Sequence, residues 1–449
     1  MVLNEVKNYL NKYSLSNWEI SAKNLEKIKT VVVVPAISEF ENIKKLLLSL
    51  SNNDNYYFNS TLILFVINNS VSSEIEVKEN NKKSLILLDE IIKKNNHSND
   101  DFIKQIINSK LRIGFIDASS PGKELPVKNA GVGLARKIGM DLALSAFDYE
   151  SKNKKLLICL DADCTVEKNY LTEIISTFDI KNFSAGVVNY SHQTEYNNGN
   201  TEAIICYEIF LRYYDFGLLF ANSSFAFPTI GSTMICDYES YIKVEGMNKR
   251  KAAEDFYFLE KLAKNFPINK IRSTTVYPSS RGSWRVPFGT GQRVNRFLSQ
   301  KQNEYLLYDP KSFLILKEWL KVFMSNKISS VDLLLKSAKE INIQLFNFLI
   351  QQNFHKDWVK ILNNSKTNEQ LRRQKINWFD GFRTLKLIHY LRDTEYPLIN
   401  MFDAIDKLFS MMENSSTEFI KKLFDERNGV SIPPIEIQMK YLTLLRTYF

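Results

Sequence analysis

The sequence predicts an α/β chain: a doubly wound, mostly parallel sheet flanked by helices, followed by an all-helical C-terminal accessory domain. Three observations carry this. Apolar, β-branched runs alternate with helical patterns through the first two-thirds of the chain. Glycine, which marks turns and close backbone approach, is absent before Gly114, and thirteen of the fifteen lie between Gly114 and Gly291. From about Pro310 onward apolar residues recur at three and four, as in Trp378–Leu391, and read as helix after helix. A boundary near residue 305 follows, giving domains 1–305 and 306–449 of the 449-residue chain.

In chain order, the first strand is Thr30-Val31-Val32-Val33-Val34-Pro35, a continuous run suited to burial on both faces. Ser38 and Glu41 then form a Ser-x-x-Glu pattern, which predicts a capping box opening a leucine-rich helix from Asn42 to Leu50. Thr61 to Ile67 is the second strand, ending at Asn68-Asn69-Ser70. The third runs from Leu111 to Ile116 and ends at Asp117, and the fourth from Leu156 to Leu160. A helix from about Asn129 to Phe147 separates the last two. Polar residues fall just beyond all four strand ends, where a parallel sheet places its ligands.

The fourth strand delivers two carboxylates, Asp161 and Asp163, two residues apart. On an extended strand such residues share a face, so both acids point toward one spot. Like charges held that close raise one another's pKa unless a cation lies between them. A hard divalent metal, bound through carboxylate oxygens and substrate phosphates, meets that requirement.

These residues, taken with later ones, resemble the family 2 glycosyltransferases of the GT-A fold over about residues 28–292. Pro35-Ala36-Ile37-Ser38-Glu39 looks like that family's first strand and loop, with Ser38 where Asn is more usual. Asn68 and Asn69 stand where the family usually has an Asp near the donor base. Gly131-Val-Gly133-Leu-Ala135-Arg136-Lys137-Ile-Gly139 looks like its glycine-and-arginine helix, and Asp161-Ala-Asp163 like its metal motif. Thr229-Ile-Gly231-Ser232-Thr233 and Lys243-Val-Glu-Gly246 lead into Ala253-Glu254-Asp255, resembling the acceptor-side strand and its acid pair. The stretch from Ser279 to Arg293, with Arg281, Trp284 and Arg285, sits where the family has a basic, Trp-containing loop, in a different order of residues.

The resemblance implies a metal-dependent, inverting glycosyltransferase using a UDP- or GDP-sugar, of the kind found in polysaccharide biosynthesis. Asp163, with Asp161, would hold Mn²⁺ or Mg²⁺ on the donor diphosphate, and Asp161 would also face the ribose or sugar. Asp255 would be the catalytic base, with Glu254 beside it. Pro35, Ala36, Glu39, Asn68, Asn69, Arg136, Arg281 and Arg285 would line the donor. His192 reads as a surface or core histidine within reach of the metal region.

Other features bound the partners. A net charge of +9 favours anionic partners, but the lysines are scattered and no basic stripe with aromatics suggests nucleic acid. The same charge suits a nucleotide-bearing donor or the anionic face of a membrane carrying a lipid-linked acceptor; glycans and small molecules are the other acceptors. No apolar window has the roughly 18 residues of a membrane span, and the N-terminus lacks a signal-peptide pattern. Cys159, Cys164, Cys206 and Cys236 have no zinc spacing and predict reduced, buried thiols in a cytoplasmic protein.

Two rival readings fit part of the sequence. Asp161-Ala-Asp163 after an apolar strand also resembles the motif of haloacid-dehalogenase-like phosphatases, with Asp161 as nucleophile, but Glu254 and Asp255 open a helix instead of completing that site. A non-catalytic, transferase-like binding protein would not need the four acids intact.

Overall fold

The computed structural model describes residues 2–15, 17–93, 100–194, 200–282, 289–325, 330–412 and 418–448. It divides into two compact units. The first comprises Met1–Thr194, Thr229–Leu262 and Phe266–Gly289, and the second Glu195–Pro228, Ala263–Asn265 and Thr290–Phe449.

The first unit is built on a nine-stranded sheet ordered β1-β4-β3-β2-β5-β8-β7-β9-β6. Its strands are β1 (Ser21–Ala22), β2 (Thr30–Ala36), β3 (Thr61–Asn68), β4 (Arg112–Ala118), β5 (Leu156–Cys159), β6 (Thr165–Val166), β7 (Ala185–Tyr190), β8 (Met234–Asp237) and β9 (Ile268–Tyr277). The long pairings β4/β3, β3/β2, β2/β5 and β7/β9 are parallel. β8 runs antiparallel between β5 and β7, and the short β1 and β6 are antiparallel edges. The doubly wound, mostly parallel sheet expected from the sequence is therefore present.

Helices α1 (Asn4–Tyr13), α2 (Phe40–Ser51), α3 (Ile75–Lys93), α4 (Asp101–Asn108), α5 (Val132–Ala146) and α6 (Tyr170–Lys181) belong to this unit. Every residue of β2 and β3 is buried, as an all-apolar strand covered on both faces requires. Alternation along the strands sorts the two faces. Val32, Val34, Ile63 and Phe65 join a core with Ile43, Leu46, Leu47 and Leu50 of α2 and Leu87, Leu88 and Ile91 of α3. On the other face α5 approaches so closely that a Cβ at Gly139 would overlap Val33 and meet Val66.

After α7 (Thr201–Phe220) of the second unit, the chain returns to the first for α8 (Tyr238–Lys243) and α9 (Glu254–Ala263). The second unit continues through α10 (Thr290–Leu298), α11 (Pro310–Phe323), α12 (Val331–Ile341), α13 (Ile343–Gln351) and α14 (Phe354–Asn364). It ends with α15 (Asn368–Trp378), α16 (Gly381–Thr394), α17 (Met401–Ser410), α18 (Glu418–Arg427) and α19 (Ile435–Arg446). One two-residue antiparallel ladder, β10 (Leu306–Leu307) with β11 (Ile399–Asn400), interrupts the helices. By contacts, α7 and α10 group with the helices that follow residue 305. The core of this unit is aromatic: Trp319 stacks on Phe323 at 5.0 Å, and Phe354 meets Trp378 at 4.8 Å. Its buried Glu208 is neutralised by Arg212 at 2.7 Å and Arg446 at 2.8 Å, as a charge removed from water must be. No helix among the described residues is long and apolar enough to cross a membrane.

One local expectation is corrected. Ser38 does not cap α2: the helix opens at Phe40 after Glu39, and neither residue's side chain makes a cap bond there. Ser38 instead sits in the left-handed region at φ 56°, with its amide donating to Asn81 Oδ1 at 2.8 Å. The next free amide, of Phe40, donates to Asn80 Oδ1 at 3.0 Å. Two asparagines of α3 thus do the capping. A left-handed φ is uncommon for Ser and is held here by that amide bond.

Candidate active site

The parallel strands β4, β3, β2 and β5 end side by side, and their following residues form one row. β2 ends at Ala36 and turns through Ser38 to Glu39. Because asparagines of α3 cap the helix, the Glu39 carboxylate is left to accept from Asn42 Nδ2 at 2.5 Å and from Arg281 Nη2. β5 ends at Cys159, so Asp161 and Asp163 stand in a turn, closed by Cys164 N donating to Asp161 O at 3.1 Å, and not on extended strand. The turn separates the two acids. Asp161 accepts from Arg136 Nη2, while Asp163 Oδ2 lies 3.1 Å from Arg281 Nη2. Gln193 Nε2 ties the turn to the end of β9 through Tyr277 O at 2.7 Å.

Arg136 comes from α5 and is only 2% exposed. Its Nη1 donates to Glu254 Oε1, so one guanidinium bridges the aspartate motif and the acid pair. Glu254 opens α9 directly after Ala253, a left-handed residue at φ 56°. Its carbonyl is held by Asn248 Nδ2 at 2.8 Å. Asp255 turns its Oδ1 to the amide of Phe256 at 2.8 Å.

The electrostatics divide these groups. Burial opposes the charge on Arg136, but Asp161 and Glu254 outweigh it and hold the guanidinium protonated. Burial raises Asp163 to about 6, with Asp161 and Glu39 adding and Arg281 opposing. Burial also raises Glu254 and Asp255, against the pull of Arg136. Carboxyls raised in this way are unstable as isolated anions and gain from a cation or a proton.

The structure therefore gathers Glu39, Arg136, Asp161, Asp163, Glu254, Asp255 and Arg281 into one cluster. Pro35 and Ala36 lie buried at the end of β2, where Ala36 O accepts from Asn68 Nδ2 at 3.1 Å. Asn68 Nδ2 also donates to Val66 O at 3.0 Å; Asn69 donates to Ser119 O at 3.3 Å and accepts from Asn81 at 2.8 Å. These amides hold the loops around the cluster. His192 is buried with its ring 5.7 Å from that of Tyr190. Arg285 and Trp284 lie outside the described residues.

Sequence reading missed Asn81 and placed Asp117 at a strand end without giving it a role. Asn81 occupies the core stripe of α3 with Ser84, Leu88 and Ile91, and a polar residue on that stripe was the signal available. Asp117, the next-to-last residue of β4, accepts from the amides of Ser119 and Ser120 at 3.1 and 3.0 Å; burial works against its charge, but these bonds and Lys123 hold its carboxyl below the usual range.

Among the described residues no three His, Cys, Asp or Glu side chains gather into a metal cage. The donor set fits a different kind of site. Asp163, its carboxyl raised chiefly by burial and further by Asp161 and Glu39, suits a hard cation that takes its other ligands from substrate phosphates and water.

No protein-family model and no curated protein matches the chain. Among solved structures it is similar to S. aureus TarS, residues 1–349, in complex with UDP-GlcNAc, at 12% identity and a TM-score of 0.36, covering 94% of this chain and 91% of that one. It is also similar to the mannosyltransferase PcManGT from Pyrobaculum calidifontis in complex with GDP-Man and Mn²⁺, at 11% identity and a TM-score of 0.36, covering 99% and 91%. At these values the reading of the site rests on its own residues.

Proposed function

We propose that the protein transfers a sugar from a nucleoside-diphosphate sugar to an acceptor hydroxyl, by single displacement with inversion. The observation that carries this is a cluster at the carboxyl ends of parallel strands in which Arg136 bridges Asp161 and Glu254, the near neighbours of a cation-seeking acid, Asp163, and a base-like acid, Asp255. Asp163 would hold Mn²⁺ or Mg²⁺ when a donor diphosphate is bound, and Asp161 would face the ribose or sugar. When bound, the cation neutralises charge growing on the departing diphosphate. Arg281, which lies against Asp163 and Glu39, turns its paired donors to phosphate oxygens. The acceptor oxygen attacks the anomeric carbon, the bond to the diphosphate breaks, and Asp255 takes the hydroxyl proton. Glu254, held by Arg136, orients that side. Asn68 and Asn69 border the base, a uracil or a guanine, together with Pro35 and Ala36.

The acceptor belongs to the glycans, lipid-linked saccharides or small molecules. A cytoplasmic setting with peripheral attachment to an anionic membrane is consistent with the net charge of +9. The helices after residue 305 form an accessory domain in this reading. The test is a screen of UDP- and GDP-sugars with MnCl₂, following thermal stabilisation, slow donor hydrolysis and the product's anomeric configuration. One nucleotide class should stabilise the protein and be released. Phosphate released from monoesters with no nucleotide response, or a product that retains configuration, would contradict the proposal.

A further inference from the structure

Three segments far apart in the chain meet on the guanidinium of Arg136. Asp161 follows β5, Glu254 opens α9, and Gly231 precedes β8. A Cβ at Gly231 would fall inside that guanidinium, and a Cβ at Gly133 would overlap the Arg250 carbonyl and touch Glu254 Cβ at 2.9 Å. Glycine thus makes room for the arginine and for the acid it holds. Both terminal nitrogens of Arg136 are engaged by carboxylates, and Nε is buried without a partner. An arginine that contacted a donor would need to reach solvent, as Arg281 does at 36% exposure; Arg136 does not, at 2%.

We infer that Arg136 is a positioning residue and not a donor contact. It holds Asp161, on the leaving-group side, and Glu254, on the acceptor side, at one fixed spacing. Because Glu254 is adjacent to Asp255, the clamp also sets where the base stands relative to the metal motif. This inference rests on the function proposed above and assigns one residue its part in it. A planar fork with two separate donors is needed; a lysine presents a single point charge and cannot span both acids in the same way.

The experiment uses Arg136→Gln, Arg136→Lys, Glu254→Gln and the double variant Arg136→Gln/Glu254→Gln, with UDP and GDP in the presence of MnCl₂ as probes. Arg136→Gln should keep wild-type nucleotide affinity while hydrolysis of the best donor sugar falls about 10²-fold, the order that a displacement of about 1 Å costs. Arg136→Lys should recover part of that rate. If nucleotide affinity falls in parallel with turnover, Arg136 is a donor contact and the inference is wrong.

Melting supplies a readout independent of catalysis. Removing Arg136 leaves Glu254 as a buried, unpaired carboxyl. Glu254→Gln should therefore lower Tm in the wild-type background and raise it in the Arg136→Gln background. The same sign in both backgrounds would overturn the clamp. Should Arg136→Gln fail to fold, recovery of folding in the double variant supports the clamp, and its absence contradicts it. A wild type that binds neither UDP nor GDP would sink the proposed function, while the melting cycle would still decide the clamp.

Discussion

Two arginines each bridge two carboxylates in the same cluster, and they are built in opposite ways. Arg136 projects from the N-terminal third of α5, is 2% exposed, and lies against Gly231. Arg281 projects from the segment after β9, is 36% exposed, and reaches Glu39 and Asp163 across 242 and 118 residues of sequence. The Arg136–Glu254 pair, at 2% and 5% exposure, has no water to substitute for a lost partner, so its geometry is fixed. The Arg281–Asp163 pair, at 36% and 25% exposure, can exchange its carboxylate for another anion at smaller cost. One end of the cluster is framework and the other is a replaceable contact, which is the division a transfer site needs between catalytic geometry and substrate exchange.

The sharpest way to break this comparison is at the acid pair beside the framework arginine. Asp255→Asn should retain nucleotide binding and lose about 10²- to 10⁴-fold in turnover, the usual effect of removing a general base. Glu254→Gln, whose carboxyl is occupied by Arg136, should lose less. Rates of the two variants on one donor decide it; the reverse order would move the base to Glu254.

At the exchangeable end, Arg281→Ala should weaken UDP or GDP binding by roughly ten- to a hundredfold, the value of one charge-assisted hydrogen bond. Because Arg281 occupies the Asp163 carboxylate, the same variant should bind Mn²⁺ alone more tightly than wild type. Calorimetry with the metal alone and with the nucleotide separates the two effects. Unchanged metal affinity would show that Arg281 does not compete for Asp163.

A smaller effect concerns stability and pH. The Asp163 carboxyl moves from 3.8 to about 6 in the fold. Between those values the folded chain binds more protons than the unfolded one, so this stabilising contribution is present at low pH and lost as pH rises through about 6. Asp163→Asn should therefore melt above wild type at about pH 8 and together with it at about pH 4. Equal melting at both would remove the tension assigned to this acid.

Much of the framework was legible in the residues. The Thr30–Pro35 run announced a strand covered on both faces and Thr61–Ile67 a second strand, and both are present. Asp161, Asp163, Glu254 and Asp255 were legible as acids beyond element ends, though the turn after Cys159 that sends Asp161 and Asp163 to different arginines was not. The Ser38 turn was misread because Ser-x-x-Glu is also a capping signal, and asparagines some forty residues away won that competition. The pairing of Arg281 with Glu39 is set by the arrangement of β9 beside the other strands, which no local pattern encodes. Arg136 was legible as a residue of the site, but a sequence shows an arginine on a helix and not its burial, on which the positioning role inferred above depends.

The most direct test of the central claim is the thermal shift given by UDP or GDP with and without MnCl₂, in wild type and in Asp163→Ala. The account predicts that nucleotide with MnCl₂ stabilises wild type beyond nucleotide alone, and that Asp163→Ala remains folded but loses that metal-dependent increment. An Asp163→Ala protein that keeps the full MnCl₂ dependence, or a wild type with none, would contradict it.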